Sequence, residues 1–415
     1  MLATRLSNLW HSEVPEISTR HQKLGTGFVV FFAVWFALSF LGWAQYVAYL
    51  GPGLGDNWNL MPLRKLWQDL GQQGHVAWLG YSVQQIALLL LLVLNLGATA
   101  GIIIVGYLRY PAEFQRPYPL QHLVTFFGLN ALNGLGIGLS LAAIAMLGWA
   151  LGFEFVQAAR RFDELLLWVS AQAARIPTVM EVPAWLAFLL IVNIGGFFHY
   201  WAHRISHESR LFWLLFHRTH HMTPELIQPA TQAVFFAFPL FLVAAPLYVF
   251  IFAAIAKLIT HDAEQVVAYI IIYKLIAAFA TTFSHHGALY HYARRNPFVR
   301  ALSVLVSEGP YHYLHHSSEP AENSRRGNLV NLGGGMCFVW DRVFGTFREL
   351  TEHRPLAGLE GRPTLHMNPL RLSLAGCAQL LHELWHNSGV LNKLRILCLG
   401  SDHVPRHSRD FAIKA

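Results

Sequence analysis

The sequence predicts an all-α integral membrane protein, with about six transmembrane helices carrying a cytoplasmic, helical, histidine-rich metal domain. Three observations predict it. Of the 415 residues, 54% are hydrophobic and 13% charged, with a mean hydropathy of +0.38, where a soluble domain carries roughly 25% charged residues. The apolar runs reach the length of about 20 residues that a hydrocarbon core of about 30 Å requires. Finally, thirteen of the 23 histidines lie between His199 and His316, most in clusters with three- and four-residue spacing.

The expected spans are residues 27–50, 85–108, 123–151, 183–200, 232–256 and 266–283. The first follows 26 residues of mixed polarity without a small-residue cleavage site, so it is expected to be retained rather than removed as a signal peptide. Residues 51–82 contain Gly-Pro-Gly with several Trp and Leu and are expected at the interface. Residues 154–181, with Arg160-Arg161 ahead of Leu165 to Trp168, read as an amphipathic surface helix. The fourth span is short and runs directly into His199, which predicts one helix that leaves the lipid carrying the first histidines. In the sixth, Lys274 is a costly cation whose ordinary resolution is snorkelling or a packed polar contact. Beyond it, residues 367–400 alternate leucines with basic and polar residues and predict helices lying on the membrane or capping the metal domain. The expected organisation is a membrane region over 1–182, a catalytic domain over 183–350, and a helical cytoplasmic or interfacial tail over 351–415.

Basic residues near span ends set the orientation. With the amino terminus inside, eight Lys and Arg fall in the short cytoplasmic segments against six outside, and fifteen more follow the last span. The histidine array is therefore expected on the cytoplasmic face. The net charge of +7 is dispersed, without the basic stripe that nucleic acid needs, so anionic headgroups are the expected counter-charge and no nucleic-acid partner is expected. Cys337, Cys377 and Cys398 are far apart and form no CxxC, so neither a disulfide framework nor a cysteine zinc site is indicated.

The array opens with His199-Tyr-Trp-Ala-His203 and His207, continues with His217-Arg-Thr-His220-His221, then Ser284-His285-His286 and His291, and closes with His312-Tyr-Leu-His315-His316. Residues three and four apart share a helix face. In HxxHH the first imidazole therefore converges with the fourth or fifth position, while the other member of the adjacent pair points roughly 100° away, toward a second ion. Four such clusters exceed the four ligands of a structural zinc site and point to two metals with open positions. Imidazole suits zinc, copper, iron and nickel alike. A second HxxxH, His382 with His386, lacks an HxxHH partner and reads as surface or packing histidines.

These clusters resemble the histidine boxes of the fatty acid hydroxylase/sterol desaturase superfamily. Phe198 to Arg204 is similar to the first box, Leu215 to His221 to the second, Phe283 to Gly287 to the third and His312 to Ser318 to the fourth. Trp340-Asp341-Arg342-Val343-Phe344-Gly345-Thr346 resembles the superfamily's WDxxFGT segment. The tail after Asn368-Pro369 is similar to longer members, among them alkylglycerol monooxygenases and bacterial relatives.

The resemblance implies a non-haem di-iron centre that uses O2 and two electrons to attack an unactivated C–H bond of a lipid. The implied ligands are His199, His203, His217, His220, His221, His285, His312, His315 and His316. His207, His286 and His291 are held in reserve as ligands or supporting groups, with Glu308 and Asp341 as candidates for orienting them. No catalytic residue separate from the metal centre is expected. Hydroxylation and desaturation at that centre share their first hydrogen abstraction and stay open together. A zinc-dependent membrane hydrolase would recruit carboxylates, which are scarce around the boxes, and a metal transporter would place its ligands inside the spans. With no haem-attachment motif, ferredoxin-like cysteine cluster or nucleotide loop in the sequence, the electrons are expected from a separate cytochrome, ferredoxin or reductase. The short loops and the lack of an appended haem domain favour a bacterial inner membrane.

Overall fold

The computed structural model describes residues 175–222, 287–319, 328–359 and 369–411 without gaps, with scattered positions between 75 and 173 and between 250 and 284. These residues are mostly helical. A two-residue antiparallel pair, β1 (His75–Val76) with β2 (Tyr81–Ser82), is the exception. The spans expected over 27–50, 85–108 and 123–151, most of those over 232–256 and 266–283, the surface helix over 154–181 up to residue 174, and Lys274 lie outside the described residues or touch them only at isolated positions.

The fourth span and the first histidines do form one helix. α1 (Ala184–Glu208) runs for 25 residues and is long and apolar enough to cross a membrane. Its amino-terminal half packs Ala184, Ala187 and Ile191 against Val266, and its carboxyl-terminal half carries His199, His203 and His207. Ser209, in extended conformation, ends it. The chain re-enters as α2 (Arg210–Phe212), passes through one turn of π-helix over Trp213–His217, and continues as α3 (Arg218–Met222). The second histidine cluster thus rides on a wound segment interrupted by a π-turn, a form found often at functional sites.

α4 (Tyr290–Arg295) leads into α5 (Pro297–Val306), which has Pro at its first turn and is capped by the Asn296 side chain accepting from the Phe298 and Val299 amides. That is a standard N-terminal signature. α6 (Pro310–His315) then carries the fourth cluster. A 3-10 turn over Met336–Phe338 opens α7 (Val339–Val343), and α8 (Pro369–His386) and α9 (Val390–Cys398) form the tail.

Close backbone approach explains one glycine run. Gly333 and Gly335 have φ of 74° and 68°, and a Cβ on Gly196 of α1 would overlap the Gly335 backbone. The Gly333-Gly334-Gly335 turn is therefore a packing site against α1. Asn193 secures it, accepting from the Met336 amide at 2.9 Å through its side chain and from Trp340 Nε1 at 2.7 Å through its carbonyl.

The tail packs on the segment that carries the second histidine cluster. Leu372, Ala375 and Leu380 of α8 and Ile396 of α9 are buried with Trp213, Leu214 and Met222 of the second-cluster segment. Burying a side chain of this size contributes about 1.5–3 kcal/mol. A Cβ on Gly376 would overlap the Leu214 carbonyl, so α8 lies as close to the π-turn as a backbone allows.

Candidate metal centre

Two groups of histidines converge inside this frame. Ligand atoms of His203, His207, His217, His221 and His315 all lie within 4.8 Å of one another, and those of His220, His312 and His316 do likewise. The groups adjoin: the His221 and His316 rings stack at 4.3 Å between centroids, and the His203 and His312 rings are 6.0 Å apart.

The split follows from helical spacing. In the second cluster His217 and His221, four apart, enter the larger group, while His220 points to the smaller. In the fourth cluster His312 and His316, four apart, enter the smaller group, while His315 points to the larger. Each cluster gives a pair to one group and a single imidazole to the other, the roughly 100° divergence expected of adjacent positions.

The interior of the larger group is not a hydrogen-bond network. His217 Nε2 lies 3.1 Å from His203 Nε2, 2.9 Å from His207 Nε2 and 3.1 Å from His221 Nε2. A single ring nitrogen is either a donor or an acceptor and cannot satisfy three like atoms at once. Nitrogens bound to one cation at about 2.1 Å, at nearly right angles, would stand about 3 Å apart, so the spacing fits a shared ion. His315 supports the same reading. Its Nδ1 donates to the Val330 carbonyl at 2.9 Å, while its buried Nε2 has no hydrogen-bond partner. A ring held by one nitrogen with the other left over has the tautomer and orientation of a metal ligand.

Burial controls the protonation state. It holds His217, His221 and His315 well below the ordinary imidazole range, and the neighbouring rings add to the effect. His220 and His312 are lowered to about 3, again chiefly by burial. Deprotonated imidazoles are what a metal ion needs. The aromatic wall includes Trp213, whose ring centroid is 5.2 Å from that of His207.

The segment from Asn328 to Leu332 organises the rings. Successive outward carbonyls, of Val330 and Leu332, accept from His315 Nδ1 and, at 2.5 Å, from His203 Nδ1. One short irregular stretch of chain thus orients a histidine from the first cluster and one from the fourth. Asn328 ties it to α6 by donating to the Leu314 carbonyl, and Asn331, in the left-handed region at φ 47°, donates to the Tyr311 and Arg348 carbonyls. Asp341 fixes Leu332 itself: its Oδ1 accepts from the Leu332 amide and from Thr346 Oγ1, both at 2.8 Å. Burial pushes the Asp341 carboxyl up to about 6.

Of the sequence-derived positions, His203, His217, His220, His221, His312, His315 and His316 are brought together, and the reserve His207 joins them. His199 is exposed and outside both groups, its ring 6.0 Å from that of His203. His291 is partly buried and outside both groups, with an unpartnered Nδ1. His285 and His286 lie outside the described residues. Glu308 accepts from Ser284 Oγ at 3.1 Å, beside the third cluster. His382 and His386 pair on α8, ring centroids 3.9 Å apart, away from either group.

Sequence reasoning missed three supports. The carbonyls of Val330 and Leu332 carry no side-chain signature. A second is the buried ion pair of Arg210 with Glu383 on α8, 2.5 Å. The third is Arg218, inside the second cluster, which donates to Gln379 at 2.8 Å and pairs with Asp410. An arginine lodged between metal-spaced histidines was the available signal for that one.

Residues 188–346 match the family model described as fatty acid hydroxylase. Among curated proteins, the chain is similar to alkylglycerol monooxygenases. It is 24% identical to that of Xenopus tropicalis over 59% of this chain and 48% of the relative. It is 22% identical to that of Homo sapiens over 54% and 44%, and 23% identical to that of Danio rerio over 59% and 48%. The chain spans about half the length of the curated relatives it matches. No solved structure matches it.

Proposed function

We propose that this member of the fatty acid hydroxylase superfamily is a membrane-bound, O2-dependent di-iron oxygenase that hydroxylates a C–H bond of a lipid, with electrons from a separate protein. The observation that carries the reading is the convergence of eight histidines into two adjoining groups, with no carboxylate joining them among the described residues. The larger group would hold one ion and the smaller group the other. A pair of irons held there would supply the O2 chemistry that an unactivated C–H bond demands.

The chain's own residues do the rest. Burial keeps the imidazoles neutral, so their lone pairs are available at physiological pH. The Val330 and Leu332 carbonyls fix the His315 and His203 rings, so each presents Nε2 inward. Among the described residues the smaller group offers three imidazoles, which would hold its ion and leave room for O2 to reach it, with the lipid carbon alongside. Aromatic and aliphatic neighbours keep water from the reacting atoms. A site at the end of an apolar helix long enough to span a bilayer can receive a long alkyl chain that never leaves lipid. The name shared by the curated relatives makes an alkylglycerol the first substrate to offer. Hydroxylation beside its ether oxygen would cleave the ether, whereas a desaturase outcome would leave a new double bond.

The test is metal content and turnover of the detergent-purified protein. Wild type should hold close to two irons per chain, and His220→Ala and His315→Ala should each lose iron. Turnover of an alkylglycerol should require both O2 and an added electron donor. One zinc per chain, indifferent to both substitutions, would overturn the proposal in favour of a hydrolase. Full turnover with NADPH and O2 alone would overturn the separate donor.

A further inference from the structure

The tail has two faces, and the metal domain uses one. On α8, Leu372, Ala375 and Leu380 are buried against the second-cluster segment. Thr219 Oγ1 donates to the Leu372 carbonyl at 3.0 Å, and the Arg210–Glu383 pair is buried beside it. This inner face makes α8 a rigid part of the metal domain.

The outer face is apolar. Leu370, Leu374, Leu381 and Trp385 follow one another at intervals of four, seven and four, which at about 100° per residue keeps them within roughly 60° of arc. Leu381 is 61% exposed and Trp385 85%. Gly389, at φ 89°, turns the chain into α9, whose Val390, Leu391 and Leu394 continue the exposed surface. On α9 the exposed cations Lys393 and Arg395 stand on opposite sides of this apolar arc, each roughly 100° from its centre. No acidic residue occurs between Glu383 and Asp402.

We propose that the outer face of α8 and α9 is a docking surface for a lipid bilayer carrying anionic headgroups. An apolar stripe bordered on both sides by basic residues sinks its leucines to the acyl boundary while the cations snorkel to the phosphates. Trp385, amphipathic and almost fully exposed, suits the same interface. The core of a protein-binding patch would be depleted in lysine, whereas cations flanking a leucine stripe complement an anionic surface. In a chain this rich in membrane-length apolar runs, a bilayer is also always close by. Because the inner face is tied to the second histidine cluster, seating the outer face fixes the height of the metal groups above the lipid.

The experiment uses full-length protein in nanodiscs of mixed phosphatidylcholine and phosphatidylglycerol, with the native cysteines replaced by serine. Nitroxide labels are attached in turn at Leu381→Cys, Leu394→Cys and, as a control, Asn392→Cys. Accessibility to O2, which concentrates in lipid, is compared with accessibility to a water-soluble nickel chelate. The expected result is an O2-to-nickel ratio at positions 381 and 394 several-fold above that at 392, falling several-fold when Lys393 and Arg395 are both changed to Glu. Ratios at 381 and 394 no higher than at 392 would overturn the proposal. So would labels shielded from both reagents, which would mean a protein covers the face. A high ratio that ignores the charge reversal would overturn the anionic requirement.

Discussion

Asp341 offers the sharpest test of how the centre is held, because two substitutions there should behave oppositely. In Asp341→Ala the Leu332 amide loses its acceptor, and a buried donor left unsatisfied costs about 1–3 kcal/mol. The backbone at Leu332 is then free to turn about its Cα, and its carbonyl no longer fixes His203 Nδ1. Loss of an orienting partner of this kind lowers metal affinity by about 10–100-fold. Asp341→Asn keeps an oxygen for Leu332 and Thr346 and places its NH2 where Oδ2 is buried without a partner, at about 1–3 kcal/mol. It also removes the cost of burying the charge. With the carboxyl raised from 3.8 to about 6, that cost at pH 7 is about 3 kcal/mol at 1.36 kcal/mol per pH unit, so the two effects nearly cancel. The sign with pH follows: a folded-state pKa raised above the unfolded value makes wild type lose stability as pH rises from about 4 to about 6. The Asn variant lacks that loss, so its stability relative to wild type should grow across that window. The assay is competition for metal against a chelator, paired with urea unfolding at pH 4.5 and pH 7. An Ala variant that binds metal as tightly as wild type, or an Asn variant that binds as poorly as Ala, would refute the carbonyl relay.

Three further outcomes follow from the same geometry. Gly376→Ala drives a methyl group into the Leu214 carbonyl and should cost about 1–3 kcal/mol or more by overpacking, visible as a lowered midpoint of unfolding and weaker metal retention. Glu383→Ala leaves the Arg210 guanidinium buried without its carboxylate, a loss of about 3–5 kcal/mol; thermal unfolding of the full chain would expose a smaller effect. In metal-stripped protein, imidazoles whose folded pKa is depressed contribute stability that disappears as pH falls below the unfolded value near 6.5. His220, lowered to about 3, should alone account for about 2 kcal/mol at pH 5, and a His220→Gln variant should flatten that acid limb in a denaturant series.

The pairs of histidines were legible because helical spacing is a local property. Cα geometry alone places His217 beside His221 and His312 beside His316, and it turns His220 and His315 away from them. What spacing could not give is which first-cluster histidines belong. His199, His203 and His207 are all four apart on α1, so the sequence offers two equivalent pairs. The choice is made by distant elements: Trp213 of the π-turn packs against His207, and the Leu332 carbonyl receives His203, while His199 is one turn closer to the apolar end of the helix. The tail shows the same limit from the other side. Its leucine pattern announced an amphipathic helix, and both faces proved to be defined. Yet the residues that bind it to the centre, Arg210 with Glu383 and Arg218 with Gln379, are separated by 173 and 161 positions, and polar pairing at such separation has no signature in a single chain.

That pairing also constrains how the protein can be divided. The family match ends at residue 346, but Thr219 and Arg218, between histidines of the second cluster, bond to α8 and the segment after α9, and Ser401 Oγ donates to the carbonyl of His207 at 2.5 Å. Removing residues 369–411 would strip the apolar cover from Trp213 and Leu214 and take from Arg210 and Arg218 the carboxylates they pair with. A chain cut after residue 368 should therefore fail to retain metal even though every histidine of both groups is still present. Wild-type metal content in that truncated protein would show that the tail only covers the centre and does not hold it.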